Sequence, residues 1–591
     1  MFFTKHSQLM KLMAGSFTVI LTGSALLTSQ ESVQAKSQAS TKLEKLLAPH
    51  KASYGYYVDQ YLLNRKENDS PDTNPSTALF NNTFAKFYKG DGTKLNPKIL
   101  QENIDKSVKI SENVTPAEEL RSYITDRQDS PYDVIRGLGP YAEAFIENSN
   151  AKTLFYNLPT SELPADTKDD PGSGITWADE KSKLGSMVDL VDTTALWYYS
   201  SSGNAKQFYK YIRPFRQDPR VQVNPYLKAA FDATPQNDYD FPSGHTTQAW
   251  ETGLSMAYAF PERFQQLVTR SSEVGYDRIL VGRHSPLAVM GGRILGTAVA
   301  ASVLNNSQNK SIANKAYQNA QSVLLHSKVT KSKDDYKNYQ TNLKNFEYRM
   351  TYGYKPISST KEKMCVPKGA EVLIQTRFPY LNATQRREVL YTTGFKSGYP
   401  MGQDTEGWGR LDLFKAGAGF GSLLGNTTVN MNAKRGGFDA SDTWRNNISG
   451  SGALIKKGTG SLTLEGANSY KGGTFIKDGT IIAANKDALG SGNLKLSDGT
   501  LKLSTKAVSV KGNYTQGKKG TVRVNGNSRI VAKGTGRLGG KLVINLKSKP
   551  SKKHVLFKFS SRHGKFAHVT VSGGYKGWHV AYTKNGVELV K

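Results

Sequence analysis

Near residue 449 the chain changes texture, and that break constrains its fold more than any other feature. Up to about residue 330, long segments carry apolar residues at steps of three and four, as in Trp250, Leu254, Ala257 and Tyr258, and again in Leu287, Met290, Ile294, Ala298 and Ala301. That period marks amphipathic helices of one globular body. From 449 onward the apolar residues fall in short runs: Leu462-Thr463-Leu464, Thr474-Phe475-Ile476, Thr480-Ile481-Ile482, Leu494-Lys495-Leu496 and Leu501-Lys502-Leu503. Turns such as Lys477-Asp478-Gly479 and Ser497-Asp498-Gly499 separate them. Short strands at near-regular spacing predict a repetitive β structure, a solenoid or a small sandwich. The expected fold is therefore multidomain: an all-α helical bundle over 36–440, followed by a repetitive, β-solenoid-like all-β module over 441–591. Between 331 and 440 the periodicity weakens. Gly417-Ala418-Gly419-Phe420-Gly421 there lacks the preceding buried strand and the full spacing of a dinucleotide-binding turn.

Charge divides along the same line. Residues 451–591 hold 26 basic and 5 acidic residues, so +21 of the chain's +30 sits in its last 141 positions. Such asymmetry suggests a basic module that meets a polyanion, appended to a body of ordinary charge. Clustered Lys547, Lys549, Lys552 and Lys553 suit phosphate-rich polymers. Export makes nucleic acid an unsuitable primary partner. The spacing of His554, His563, His568 and His579 fits no compact metal-ligand set.

The N-terminus implies that export. Lys5 and Lys11 precede an apolar stretch from Leu12 to Leu27 interrupted by Gly and Ser, and Val33-Gln34-Ala35 follows as a cleavage site. Residues 1–35 read as a secretory signal, giving a secreted, extracellular protein, surface-associated through its basic module. Elsewhere the most apolar run, Ile294 to Leu304, has 11 residues, so no transmembrane segment is expected in the mature chain. The single cysteine, Cys365, has no intramolecular partner and no adjoining base, and reads as an incidental thiol. The acidic, Gly- and Pro-bearing stretch Asp166 to Gly174 does not match a calcium-loop spacing and reads as a solvated loop.

Three short segments carry chemistry. Lys206 and Arg213, followed by Pro214, are seven apart, so on a helix both cations would project from one face. Pro242-Ser243-Gly244-His245 directly precedes the segment containing Trp250 and Leu254. A Ser or Gly at a helix entrance leaves backbone N–H groups aimed outward with the positive end of the dipole, a ready phosphate site. Arg278 precedes His284 by six residues, again before a helical pattern. Taken singly, these are a solvated basic pair, an ordinary helix cap and a structural histidine.

In order, Lys-x6-Arg-Pro, Pro-Ser-Gly-His and Arg-x5-His resemble the type 2 phosphatidic acid phosphatase superfamily, which includes soluble bacterial class A acid phosphatases and vanadium haloperoxidases. The motif core spans 200–305, and weaker likeness at Leu190-Val191-Asp192-Thr193 and Gly407-Trp408-Gly409-Arg410-Leu411 carries the resemblance towards 440. It implies a secreted acid phosphatase that hydrolyses phosphomonoesters through a phosphohistidine, with no metal or other cofactor. Lys206, Arg213 and Arg278 match the family's cationic cradle, Ser243 and Gly244 its hydroxyl and backbone donors, His284 its nucleophile and His245 its general acid. The family places an Asp four residues after the nucleophile to orient the imidazole, where this chain has Ala288. Asp189, Asp192 and Asp277 are the sequence's candidate substitutes. Without one, the expectation shifts to a weakened, phosphatase-like surface-binding protein; vanadate-dependent halide oxidation ranks below both. The stretch from Gly458 through Asn468-Ser469-Tyr470 to Gly472-Gly473-Thr474 resembles the autotransporter-associated β-strand repeat over about one unit. No membrane barrel follows before Lys591, so that resemblance implies a β-helical surface module and not self-translocation.

Overall fold

The computed structural model describes residues 42–161, 164, 167–169, 175–330, 334–547 and 553–591. The expected signal at 1–35, most of the 166–174 loop, and Lys549 and Lys552 lie outside the described residues.

The helical body is built around α4 (Gly244–Ala259), which packs against α2 (Gly185–Ala195), α5 (Phe264–Leu280), α6 (Pro286–Asn305) and α7 (Lys310–Leu324). Two further helices matter for the site, α1 (Pro116–Arg127) and α3 (Gly203–Tyr209). The helices predicted at Trp250 and at Leu287 form, but they are not amphipathic surface elements. All of α6 from Pro286 to Leu304 is buried, as is nearly all of α4 beyond His245. Neighbours cover every side, and a helix apolar all round is a core helix. By length and composition α6 could cross a membrane, yet its apolar window lies wholly inside the protein.

Small residues let these helices approach. A Cβ added to Gly292 would meet Ser243 O at 2.6 Å, and one on Gly296 would meet Thr247 O at 2.3 Å. A Cβ on Gly275 of α5 would meet Val289 Cγ1 at 2.7 Å. The start of α4, the end of α5 and the start of α6 are thereby drawn to one place.

Every strand predicted after 449 is present, and all but the last few pair in parallel. Two seven-stranded walls and a five-stranded wall form a solenoid, which settles the choice against a sandwich. Thr480, Thr500, Thr521, Lys541 and His568 occupy successive rungs of one wall in register. Inward Leu462, Ile481, Leu501, Val522 and Leu542 stack as a buried column beneath it. Asparagine side chains bind the next coil, as in Ile448 N to Asn468 Oδ1 (2.8 Å) and Asn513 N to Asn493 Oδ1 (2.8 Å). Antiparallel pairing of Lys553–Lys558 with Gly586–Val590 covers the far end. The ladders begin at Ser422–Leu423 and Thr427–Asn430, before residue 441. Arg377 bridges Asp442 (2.7 Å), and Trp444 Nε1 donates to the Tyr380 hydroxyl (2.9 Å), so the first coils seat directly on the helical body.

Candidate active site

The first cation pair does not share a helix face. Helix α3 ends at Tyr209, Lys210 turns left-handed (φ 50°), and Arg213 lies beyond the helix as the residue preceding Pro214–Gln217. The turn nevertheless returns Arg213 to the charge environment of Lys206. Burial and the neighbouring Arg213 lower the Lys206 ammonium to about 7, and its Nζ donates to Tyr239 O (2.8 Å).

At the entrance of α4, Ser243 is the N-cap, with its Oγ accepting from Thr246 N (3.4 Å). Its own N–H donates to Ala288 O (2.9 Å), stitching α4 to the first turn of α6. Gly244 leaves room beside Ser202 and Lys206, whose Oγ and Cε would lie 3.3 and 4.0 Å from an added Cβ. His245 follows in the first turn and lines two cavities, of about 380 and 600 Å³.

The second histidine is placed by a turn. Helix α5 ends at Leu280, Gly282 adopts φ 77°, where an added Cβ would meet Gln222 O at 2.4 Å, and His284 N donates back to Arg278 O (3.0 Å). The His284 ring is 2% exposed and held from both sides. Nδ1 lies 2.7 Å from Asp240 Oδ1, and Nε2 lies 2.9 Å from Arg213 Nη1. A carboxylate accepts from Nδ1–H, which leaves the Nε2 lone pair facing the cation. Burial, with Arg213, Lys206, Arg278 and Arg283 nearby, holds His284 well below the usual histidine range.

Asp240 therefore brings a carboxylate to His284 Nδ1, where Ala288 has none to offer. It is fully buried and anchored by Phe241, which stacks on Phe84 (3.7 Å between ring centroids). Ser285, the N-cap of α6, donates its hydroxyl to Asp240 Oδ2 (2.5 Å) and its N–H to Oδ1 (3.2 Å). Burial raises the Asp240 carboxyl, while Ser285, Arg213 and Lys206 act in the opposite direction. The helix N-terminus beneath it likewise favours the anion. The three carboxylates suggested by the sequence lie elsewhere. Asp192 accepts from Trp177 Nε1 (2.8 Å), Asp189 from the Thr193 hydroxyl (3.5 Å), and Asp277 is bound by Arg121, Thr125 and Arg270. That network also removes Asp277 as a source of repulsion toward an anion, since its charge is met inside the core.

Arg278 is fully buried, and Asp126 Oδ1 lies 2.5 Å from its Nη1. Among the described residues none of its three nitrogens has a well-aligned hydrogen bond, a state that suits a guanidinium facing an anion. Two more contributors escaped the sequence reading. Asp238 grips Arg213 in a two-point fork (2.8 and 2.6 Å) and also accepts from Arg283 (3.1 Å). Arg283 stacks over Phe231 and lines the smaller cavity with His245 and Asp126. Burial and the surrounding arginines hold it at about 10. Arg278 also lowers His245 after burial does, whereas Asp126 acts against that shift. The local signal for the carboxylates was Asp238-Tyr239-Asp240, immediately upstream of the Pro-Ser-Gly-His segment, whereas the family pattern directs attention downstream of His284.

Comparison with known proteins finds likeness in both parts of the chain. The PAP2 superfamily model matches residues 188–312, and the passenger-associated-transport-repeat model matches 454–483. The chain is similar to the autotransporter lipoprotein NalP of Neisseria meningitidis serogroup B, at 31% identity over 217 residues, 33% of this chain and 20% of that protein. It is also similar to a non-specific acid phosphatase of Salmonella typhi, at 29% over 123 residues, 19% of this chain and 48% of the relative. The BmaC autotransporter adhesin of Brucella suis matches at 45% over 56 residues, 10% of this chain and 2% of that protein. The chain thus spans between a fiftieth and half of the length of these relatives. It carries a PAP2 superfamily domain followed by a passenger-associated-transport repeat.

Proposed function

We propose that the chain is a secreted acid phosphatase acting on phosphomonoesters, and the observation that carries this reading is the Asp240–His284–Arg213 line. A phosphoryl group needs its charge neutralised while a nucleophile attacks in line. Lys206, Arg213, Arg278 and Arg283 supply cations, and Ser243 and Gly244 supply the helix entrance. Asp240 holds the tautomer in which His284 Nε2 carries the lone pair. Attack by Nε2 forms the N–P bond as the ester P–O bond breaks, and His245 protonates the departing oxygen. The bound phosphate adds negative charge beside His245, which favours its protonated form against the cations that lower it. His245 then takes a proton from the water that releases phosphate. A catalytic body and an appended surface module are proposed, with their boundary moved from 440/441 to about 422, where the parallel ladders begin.

The test is hydrolysis of p-nitrophenyl phosphate between pH 4 and 8, with rapid alkaline denaturation to trap acid-labile phosphate on His284. Absence of hydrolysis across that range overturns the reading. The pH profile has an expected shape. His284 is lowered, so its attacking neutral form persists as pH falls until the lowered value is reached. Lys206, at about 7, loses its charge as pH rises through that value. The kcat/KM profile, which reports the free protein, is therefore expected to have an alkaline limb near 7, where Lys206 loses its charge, and an acid limb set by protonation of Asp240, which burial raises, before His284 itself titrates. Lys206→Arg, which does not titrate there, is expected to move the alkaline limb upward.

The basic solenoid is proposed to hold the protein on anionic cell-envelope polymers. A groove of about 860 Å³ crosses its seven-stranded wall, with Lys502, Arg523 and Lys547 among rungs of Thr and Asn. Exposed charges are screened within about 8 Å at physiological salt and about 3 Å at molar salt. Cell-bound protein is accordingly expected to be released by 1 M salt in a sedimentation assay.

A further inference from the structure

The groove on the solenoid wall is more ordered than attachment by net charge requires. Its floor is formed by successive parallel strands, from Ser461–Leu464 to His568–Gly573. Neighbouring strands lie about 4.8 Å apart, so six of them carry the groove for roughly 24 Å. Because the strands are in register, the outward side chains fall into rows. Ser461, Thr480 and Thr500 form a row of hydroxyls. Two residues further along the strands, Ile482, Lys502, Arg523 and Val543 place a pair of cations between two aliphatic side chains. Two residues further again, Asn525, Asn545 and Ser572 form a row of amides and a hydroxyl, with Lys547 just beyond. Rows two residues apart are separated by about 6.6 Å.

Lys502 and Arg523 stand side by side on neighbouring strands, both exposed, where like charges repel. None of the described residues lining the groove is acidic, so neither cation is neutralised within it. An anionic group lying across the pair removes the repulsion and forms charge-assisted hydrogen bonds with both. The rows then select the class of polyanion. A polyphosphate carries charge at every unit and is best met by a cation on every strand, yet only two of the four side chains in the central row are cationic. Ile482 and Val543 suit C–H surface instead. The flanking hydroxyls and amides both donate and accept, which matches the hydroxyl groups of a sugar. Residues of an extended, 1,4-linked sugar chain also advance by nearly the strand spacing, so one ring can lie over each strand.

We propose that this groove is a binding site for an extended, carboxylated polysaccharide, a uronic-acid glycan. Carboxylates lie over Lys502 and Arg523, ring C–H surface lies on Ile482 and Val543, and sugar hydroxyls meet Thr480 and Thr500 on one side and Asn525 and Asn545 on the other. The inference rests on the reading of the solenoid as a tether to anionic polymers and names the polymer.

The test is calorimetric titration of the full chain with a linear, 1,4-linked mannuronate hexamer at physiological salt, with inorganic phosphate in excess to occupy the cradle of the helical body. Neutral mannohexaose and a linear polyphosphate of six units are the comparison ligands. The mannuronate is expected to bind at least tenfold more tightly than mannohexaose. Replacing Lys502→Gln together with Arg523→Gln should weaken it at least tenfold. Lys495→Gln with Arg537→Gln removes the same charge from the other seven-stranded wall, where both flank Thr515, and should weaken it less than twofold. Asn545→Ala should cost the mannuronate about fivefold and the polyphosphate less than twofold. Absence of mannuronate binding, or equal losses in the two double variants, overturns the groove. Polyphosphate binding that falls selectively in Lys502→Gln/Arg523→Gln while mannuronate binding does not overturns the glycan class. The tether reading fails separately: a chain that does not sediment with cells removes the tether, and the titration alone still decides the groove.

Discussion

Replacing Asp240 by Asn is expected to lower kcat on p-nitrophenyl phosphate by roughly four orders of magnitude, the loss seen when a histidine-orienting carboxylate is replaced by its amide. Asn has the same size and can keep a hydrogen bond to Ser285, so the segment anchored by Phe241 should stay in place. What changes is the partner of His284 Nδ1, 2.7 Å away. An amide carries no charge to stabilise the imidazole as its Nε2 becomes bonded to phosphorus, and its NH₂ group favours the opposite tautomer. The loss should appear in the rate of phosphohistidine formation measured by rapid quench. A variant within tenfold of wild type would show that Asp240 does not orient the nucleophile. Ala288→Asp gives the complementary result. Position 288 is fully buried in the first turn of α6, and Nδ1 already has its carboxylate, so no gain in turnover is expected.

His284→Ala is expected to have the larger effect, about six orders of magnitude in kcat, comparable to removing the nucleophile of a covalent hydrolase. Asp240 and Arg213 would lose their shared partner, but both keep others, Ser285 for the first and Asp238 for the second. The fold should therefore survive, which circular dichroism checks. The trapped phosphoenzyme should vanish together with turnover. Turnover that persists while the label moves to another residue would assign the nucleophile elsewhere.

Both expectations concern residues whose types were visible at once but whose partners were not. His245 and His284 stood out because local motifs present them: an N-cap at the start of α4 and a glycine turn after α5. Arg213 was visible for the same reason, although the helix assumed to hold it beside Lys206 stops at Tyr209. Asp240 was missed because it is 44 residues from the histidine it holds. Nothing in the spacing of Asp238-Tyr239-Asp240 says that one carboxylate will meet Arg213 and Arg283 while the other meets His284 and Ser285. Asp277 illustrates the converse. Beside Arg278 in sequence it looked like part of the site, but on α5 it turns toward Arg121 of α1 and Arg270, and only Arg278 remains with His245.

The sequence alone determined the division into a helical body and a repetitive β module, because a period near 3.6 and a period of 2 are local properties of the backbone. It also determined the residue types of the candidate site, since a helix entrance and a turn are built within a few residues. Tertiary structure decided which charges face one another. The glycines of α5 and α6 bring three helix ends into contact, and a buried ion finds its lowest free energy with whichever opposite charge that packing delivers, however distant in sequence.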